Sequence, residues 1–170
     1  MTKRVLTIVA VAALLFDGGC KPRVKEITTS QRKEAASLAS EAQFALSLGD
    51  IARAEATLAR AVALCPDGGD YWLELGRCRA KLGNRGTAKE AYKSALAAYE
   101  ADAKVNAASR APSVIRQIYV LALLGRVDEA RALLAKNRKD VPDNRDLRAF
   151  SESRQIDQMI ASPAFKEVAL

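Results

Sequence analysis

The chain has 170 residues, enough for one domain or at most two, and its 27 Lys and Arg against 20 Asp and Glu give a net charge of +7. It contains 33 Ala, four Phe, four Tyr and one Trp, but no His, which excludes histidine-dependent triads and proton shuttles. Because 49% of the residues are apolar, the chain can build a core. Many alanines and few aromatic residues favour closely packed helices over sheets, so we expect an all-α fold.

The first twenty residues have the pattern of a targeting segment. Lys3 and Arg4 precede an apolar run of twelve residues, 5–16, and the sequence Asp-Gly-Gly-Cys ends at Cys20. A helix that spans a membrane needs about twenty apolar residues. The run therefore predicts a secretory signal peptide over residues 1–19 rather than a permanent span.

The small residues directly before Cys20 resemble the lipobox of bacterial lipoproteins. In that family the Cys thiol is lipidated, the signal is cleaved and the new amino terminus is acylated, so the resemblance implies a mature protein that begins at Cys20. Two or three acyl chains, at about 0.8 kcal/mol per buried methylene, anchor a protein stably. Lys21 after the Cys implies an outer-membrane lipoprotein of the cell envelope that faces the periplasm. Asp17 stands where lipoboxes usually carry an apolar residue, which leaves an uncleaved anchor or secretion with a free Cys20 as alternatives.

Residues 20–29 are polar and basic, contain Pro22 and show no hydrophobic periodicity, which predicts a linker. Thr28 and Gln31 form a candidate capping box for the first helix, and Ser30 is a competing cap. Loss of residues 1–19 would remove two basic residues and one acidic residue, so the net charge would fall from +7 to +6.

Beyond the linker the chain repeats one motif: Leu-Gly, then four residues, then Ala. The glycines are Gly49, Gly83 and Gly125, and the alanines are Ala54, Ala88 and Ala130. The first two copies are 34 residues apart, the period of a helix–turn–helix repeat. Glycine adopts the left-handed conformation that ends a helix without a Cβ clash, so each Leu-Gly predicts a turn between paired helices.

The middle copy carries a longer pattern, and a proline falls twelve residues after the motif alanine in the first and third copies. The residues of this pattern are Trp72, Leu75, Gly76, Ala88 and Tyr92, and the prolines are Pro66 and Pro142. Together they resemble the tetratricopeptide repeat. The resemblance implies a right-handed superhelical stack of three repeats over 30–144, at about 35–68, 69–102 and 111–144. An ordinary amphipathic helical bundle with chance Leu-Gly turns is the alternative.

Some positions depart from the repeat pattern. Arg79 replaces its Tyr, Ile118 its Gly and Asn137 its last Ala, so we expect looser helix packing in the third repeat. Residues 103–110 contain no helix breaker and predict that the preceding helix runs about two turns longer. We predict a C-terminal capping helix and tail over 145–170. Its helix covers 145–161, and a short helix after Ser162-Pro163 then either folds back on the stack or forms a loose tail.

In this family the first helices of successive repeats line a groove that holds an extended peptide or a partner helix. The corresponding positions are Ala39, Gln43 and Ser47, then Leu73, Arg77 and Lys81, then Ile115, Tyr119 and Leu123. A peptide with an acidic group near Arg77 and Lys81 and an apolar residue near Tyr119 would fit this groove. The alternative is that the two basic residues form a solvated face while Ile115 and Leu123 pack against the cap.

The resemblance implies a non-catalytic protein–protein interaction scaffold that assists assembly of an envelope complex. A periplasmic co-chaperone or peptide-binding module is the alternative, and a small enzyme is a third candidate. We expect no catalytic residue, cofactor or small-molecule substrate. We also expect no metal, because no spacing of Cys, Asp and Glu forms a zinc or calcium signature. No nucleic-acid partner is expected, because the basic residues are spread along every repeat. Cys65 and Cys78 read as small buried residues rather than a disulfide, because their predicted positions are too far apart.

Overall fold

The computed structural model of the chain describes residues 26–105 and 110–170, and every regular element within these ranges is an α-helix. The predicted signal peptide, Cys20 and the linker up to residue 25 lie outside the described residues, as do residues 106–109 of the predicted helix extension. The helices are α1 (Thr29–Ser47), α2 (Ile51–Leu64), α3 (Gly69–Lys81), α4 (Arg85–Val105), α5 (Arg110–Leu123), α6 (Val127–Asp140), α7 (Arg145–Glu152), α8 (Gln155–Ala161) and α9 (Pro163–Val168).

The helices α1 to α6 form three successive pairs that pack in chain order into a stack. The capping box at the start of α1 is confirmed: the amide of Gln31 donates to the Thr28 hydroxyl at 3.2 Å, and the Thr28 amide donates to the Gln31 side chain at 2.9 Å. The fold is therefore the all-α helical-repeat stack that the sequence predicts.

The three Leu-Gly motifs form the same turn within each pair. Gly49, Gly83 and Gly125 have φ angles of 77°, 81° and 73°. In each turn the glycine amide donates to the carbonyl three residues before it, and the next amide donates to the carbonyl five residues before its own position. The repeated left-handed glycine thus ends each first helix and reverses the chain into its partner.

The two motif prolines lie in matching turns after the second helices of their pairs. Cys65, before Pro66, has φ and ψ of −133° and 73°, and Val141, before Pro142, has −136° and 69°. In each turn a carbonyl accepts an amide three residues later, from Gly68 at 3.0 Å and from Asn144 at 3.1 Å.

Small residues let the helices approach closely in the core. The motif alanines Ala54, Ala88 and Ala130 are fully buried. Gly76 of α3 lies against the ring of Tyr92 in α4, which is also fully buried. The largest cluster of buried side chains contains residues from every helix between α3 and α9. Two smaller clusters contain buried residues of α1 and α2, and one of them also contains buried residues of α3 and α4.

The departures from the repeat pattern have structural consequences. Arg79 donates to Glu55 of α2 at 2.8 Å, and buried Asn137 donates to the carbonyl of Leu133 at 3.0 Å. Ile118 is fully buried. The helices α5 and α6 approach each other at fewer positions than α1 and α2 or α3 and α4 do. The helix α4 has 21 residues against 14 in α2, the equivalent helix of the first repeat, so it is about two turns longer, as the sequence predicts.

The C-terminal region differs from the predicted single capping helix over 145–161. The chain forms α7 and α8 there, separated at Arg154, whose φ of 50° and ψ of 38° place it in the left-handed region. The Ser153 hydroxyl donates to the carbonyl of Ala149 at 2.8 Å at the same break. Leu147, Phe150 and Ile156 are buried, so both short helices cover the end of the stack.

The predicted start of the last helix is confirmed. The Ser162 hydroxyl accepts the amide of Phe165 at 3.3 Å, and Pro163 occupies the first helical turn of α9. Phe165 and Val168 are buried in the same cluster as α3 and α5. Of the two outcomes left open by the sequence, the structure shows the segment folded back on the stack.

The contact between Gly76 and Tyr92 predicts a large effect of one added methyl group. A Cβ atom at residue 76 would lie 2.5 Å from Cδ1 of Tyr92, whose buried ring has little room to move. We expect Gly76→Ala to lower the free energy of unfolding by about 1–3 kcal/mol, measured by urea denaturation. Gly86→Ala is the matched control, because a Cβ there meets nothing within 4 Å, and it should raise stability slightly. Equal stability of Gly76→Ala and wild type would contradict this close approach.

Candidate functional site

The predicted partner-binding residues of the second and third repeats lie on α3 and α5. The name inner face is used here for five of them: Leu73, Arg77 and Lys81 on α3, and Ile115 and Tyr119 on α5. An ion pair of 3.0 Å between Asp70 and Arg116 joins the same two helices. The inner face is therefore a surface shared by two successive repeats.

Three other predicted residues lie on α1, and one lies in the core. Gln43 and Ser47 are exposed and Ala39 is half-buried, on a helix whose buried residues pack against α2. Leu123 is 0% exposed, so its side chain belongs to the core, and its main-chain carbonyl accepts the amide of Leu170, which follows α9. The structure thus brings together the residues of the second and third repeats around α9.

Arg77 is a partly buried charge of the inner face, with its side chain 39% exposed. One of its guanidinium nitrogens donates to Glu74 at 2.8 Å, while its buried Nε has no hydrogen-bond partner among the described residues. Burial lowers the pKa of Arg77, but attraction to Glu74 and to nearby tyrosines outweighs this effect, so the pKa is raised and the side chain remains charged. A partner carboxylate or carbonyl would pair with the exposed part of this guanidinium.

Tyr119 supplies the apolar part of the inner face. Burial raises the pKa of its hydroxyl, an effect that the nearby Arg77 charge opposes. Its ring borders an open cavity of about 540 Å³ that is also lined by Ile115, Phe150 and Met159. A basic group and an apolar cavity therefore lie side by side.

The last helix already occupies part of the inner face. The rings of Phe165 and Tyr119 meet edge to face with centroids 5.7 Å apart, and Glu167 lies 3.4 Å from Lys81. The sequence Ser162-Pro163 predicts the start of this helix. It does not predict the docking surface, because no local pattern in the sequence specifies a contact between residues so far apart.

The two cysteines within the described residues offer no reactive group. Cys65 and Cys78 are both buried and unbridged, and burial raises the pKa of each thiol to about 11. At neutral pH both therefore remain protonated and poorly nucleophilic. Across residues 26–105 and 110–170, no group of three or more Cys, Asp or Glu is placed to hold a metal ion. Within the same ranges no helix is both long and apolar enough to cross a membrane.

Residues 69–102 match the family model of the tetratricopeptide repeat. They comprise α3, the turn at Gly83 and most of α4, and have the bounds of the second repeat drawn from the sequence. No curated protein and no solved structure matches the chain. The match covers one repeat of the chain, and together with the paired helices it supports an all-α repeat fold like that of tetratricopeptide repeats. Such repeats generally mediate protein–protein interaction and are typically non-catalytic, which supports an interaction scaffold.

The contact between Tyr119 and Phe165 predicts that the inner face and α9 stabilise each other. In a double-mutant cycle of Tyr119→Ala and Phe165→Ala, we expect a coupling energy of about 0.5–1.5 kcal/mol from the edge-to-face contact. The measurement is urea unfolding of both single variants and the double variant.

The control cycle pairs Tyr119→Ala with Phe44→Ala. Phe44 lies on α1 and is 60% exposed, so these two effects should add. Additive effects of Tyr119→Ala and Phe165→Ala would show that α9 does not dock on Tyr119.

Proposed function

We propose that this protein is a lipid-anchored scaffold of the bacterial cell envelope that binds a peptide or partner helix on its inner face during assembly of an envelope complex. The match of residues 69–102 to the tetratricopeptide repeat carries the proposal, because these repeats generally bind protein segments. The inner face lies on the first helix of that repeat and on its neighbour α5. It is the surface on which we expect the partner to bind.

The side chains of the inner face define the chemistry of the partner. Arg77 and Lys81 lie one helical turn apart on α3, and Tyr119 and its cavity lie beside Arg77. A partner segment with an acidic group next to an apolar group would pair with the cations and fill the cavity. Binding of this kind needs hydrogen bonds and apolar contact but no chemical reaction.

The membrane anchor is supported by the sequence of the first twenty residues. Two basic residues, an apolar run of twelve and a small pair directly before Cys20 together resemble a lipoprotein-type signal, apart from Asp17. Acylation of Cys20 would leave residues 21–28 as a linker between the membrane and α1. The stack would then lie close to the outer membrane and face partners in the periplasm.

Arg77→Ala tests the inner face. Arg77 is chosen over Tyr119 because the latter contacts α9 and its loss would also change stability. We expect affinity capture from solubilised membranes to recover the envelope partner with wild type and to lose most of it with Arg77→Ala, since a charged hydrogen bond contributes about 1.5–3 kcal/mol. Quantitative mass spectrometry of the captured proteins gives the ratio.

Arg60→Ala is the matched control, because Arg60 is an exposed arginine on α2. It should capture the same partner as wild type. Unchanged recovery with a folded Arg77→Ala variant would exclude Arg77 from the binding surface, and capture of many unrelated unfolded proteins would favour a co-chaperone.

Cys20→Ser tests the anchor. We expect the variant to leave the membrane fraction and to lose incorporation of a labelled fatty acid, because serine lacks the thiol that is lipidated. The control is Cys65→Ser, which replaces a buried thiol whose hydrogen bond to Asp67, 3.0 Å long, a hydroxyl can retain. Persistent membrane attachment of Cys20→Ser would instead indicate an uncleaved apolar helix.

A further inference from the structure

The helix α9 binds the inner face as a peptide ligand would. Phe165 packs on Tyr119, Glu167 pairs with Lys81 and Val168 is buried in the core cluster. One short segment therefore supplies an aromatic group, a carboxylate and an aliphatic group to the surface on which we expect the partner to bind.

The main chain of the same segment is also held. The Tyr92 hydroxyl donates to the carbonyl of Val168 at 2.9 Å, and the amide of Leu170 donates to the carbonyl of Leu123 at 2.9 Å. Arg85 donates to the carbonyl of Ala169. Contacts to main-chain atoms do not depend on side-chain identity, so another protein segment can satisfy them equally.

The contacts of α9 are suited to release. A helix of six residues is too short to be stable alone, so α9 depends on its docking. Its ion pair is open to solvent, with Lys81 32% exposed and Glu167 57% exposed, and such pairs contribute little net stability. The cavity of about 540 Å³ next to Tyr119 is lined by no residue of α9, so the helix leaves it unfilled.

We propose that residues 163–170 are a built-in competitor for the inner face, displaced by a partner segment of the same chemistry. That segment carries an aromatic residue, a carboxylate two residues later and an aliphatic residue directly after it, as Phe165, Glu167 and Val168 do here. The inference rests on the proposed function and adds to it the partner motif and a closed state. Apparent affinity for the partner is reduced by the fraction of molecules in which α9 is docked.

The probe is a fluorescent peptide of residues 162–170, capped at both ends, titrated into the full chain in detergent and followed by anisotropy. Glu167→Lys places a like charge beside Lys81 at an exposed position and should weaken the docking of α9 while α1 to α6 stay folded. We expect this variant to bind the peptide severalfold more tightly than wild type, because charge repulsion raises the fraction of molecules in which α9 is undocked.

Glu152→Lys is the matched control. It makes the same change of charge at an exposed residue of α7, so it should bind the peptide as weakly as wild type. Equal affinities of Glu167→Lys and Glu152→Lys would overturn the proposal. Circular dichroism and thermal melting of each variant check that the helices remain folded.

Charge reversal at Lys81, the other member of the ion pair, gives a second, independent test. Lys81→Glu should bind a peptide with Lys in place of its Glu in preference to the original peptide, while Glu167→Lys should show the opposite preference. This test stands even if Glu167→Lys loses helicity. An unchanged preference in folded Lys81→Glu would show that the carboxylate does not select the partner, and would overturn the proposed motif.

The two proposals fail separately. If Arg77→Ala abolishes partner capture while the peptide results are negative, the scaffold stands and α9 is a structural cap only. If Arg77→Ala captures the partner as wild type does, the proposed inner-face function is wrong whatever the peptide does.

Discussion

The close approach of Gly76 to Tyr92 is the contact on which the rest of the structure depends. The missing Cβ of Gly76 makes room for the ring, and the ring fixes the distance between α3 and α4. The same Tyr92 hydroxyl reaches through the core to the carbonyl of Val168 in α9. One residue pair therefore sets the helix spacing of the central repeat and provides part of the surface that holds the last helix.

Features that depend on local chemistry were predictable from the sequence. The three left-handed glycines, the capping box at Thr28 and the start of α9 at Ser162 each follow from rules that involve only a few adjacent residues. The 34-residue period then indicated the pairing of helices, because equivalent residues in each repeat meet equivalent neighbours.

Features that depend on distant contacts were not predictable. Arg154 adopts a left-handed conformation without the glycine that usually marks one, so the break between α7 and α8 left no signal in the sequence. Leu123 occupies a position that faces the groove by analogy, yet its side chain is fully buried in the core cluster. The docking of α9 joins residues 76 positions apart, as between Tyr92 and Val168, and no periodic pattern encodes such a pairing.

The same long-range contact changes how the chain is expected to fold. In an open repeat array each unit contacts only its neighbours, so units form and melt almost independently from either end. Here α9 contacts both α3, through Lys81, and α5, through Tyr119. These contacts add a link between the second and third repeats beyond their neighbour packing, whereas α1 and α2 pack against α3 and α4, so we expect local unfolding to begin in the first repeat.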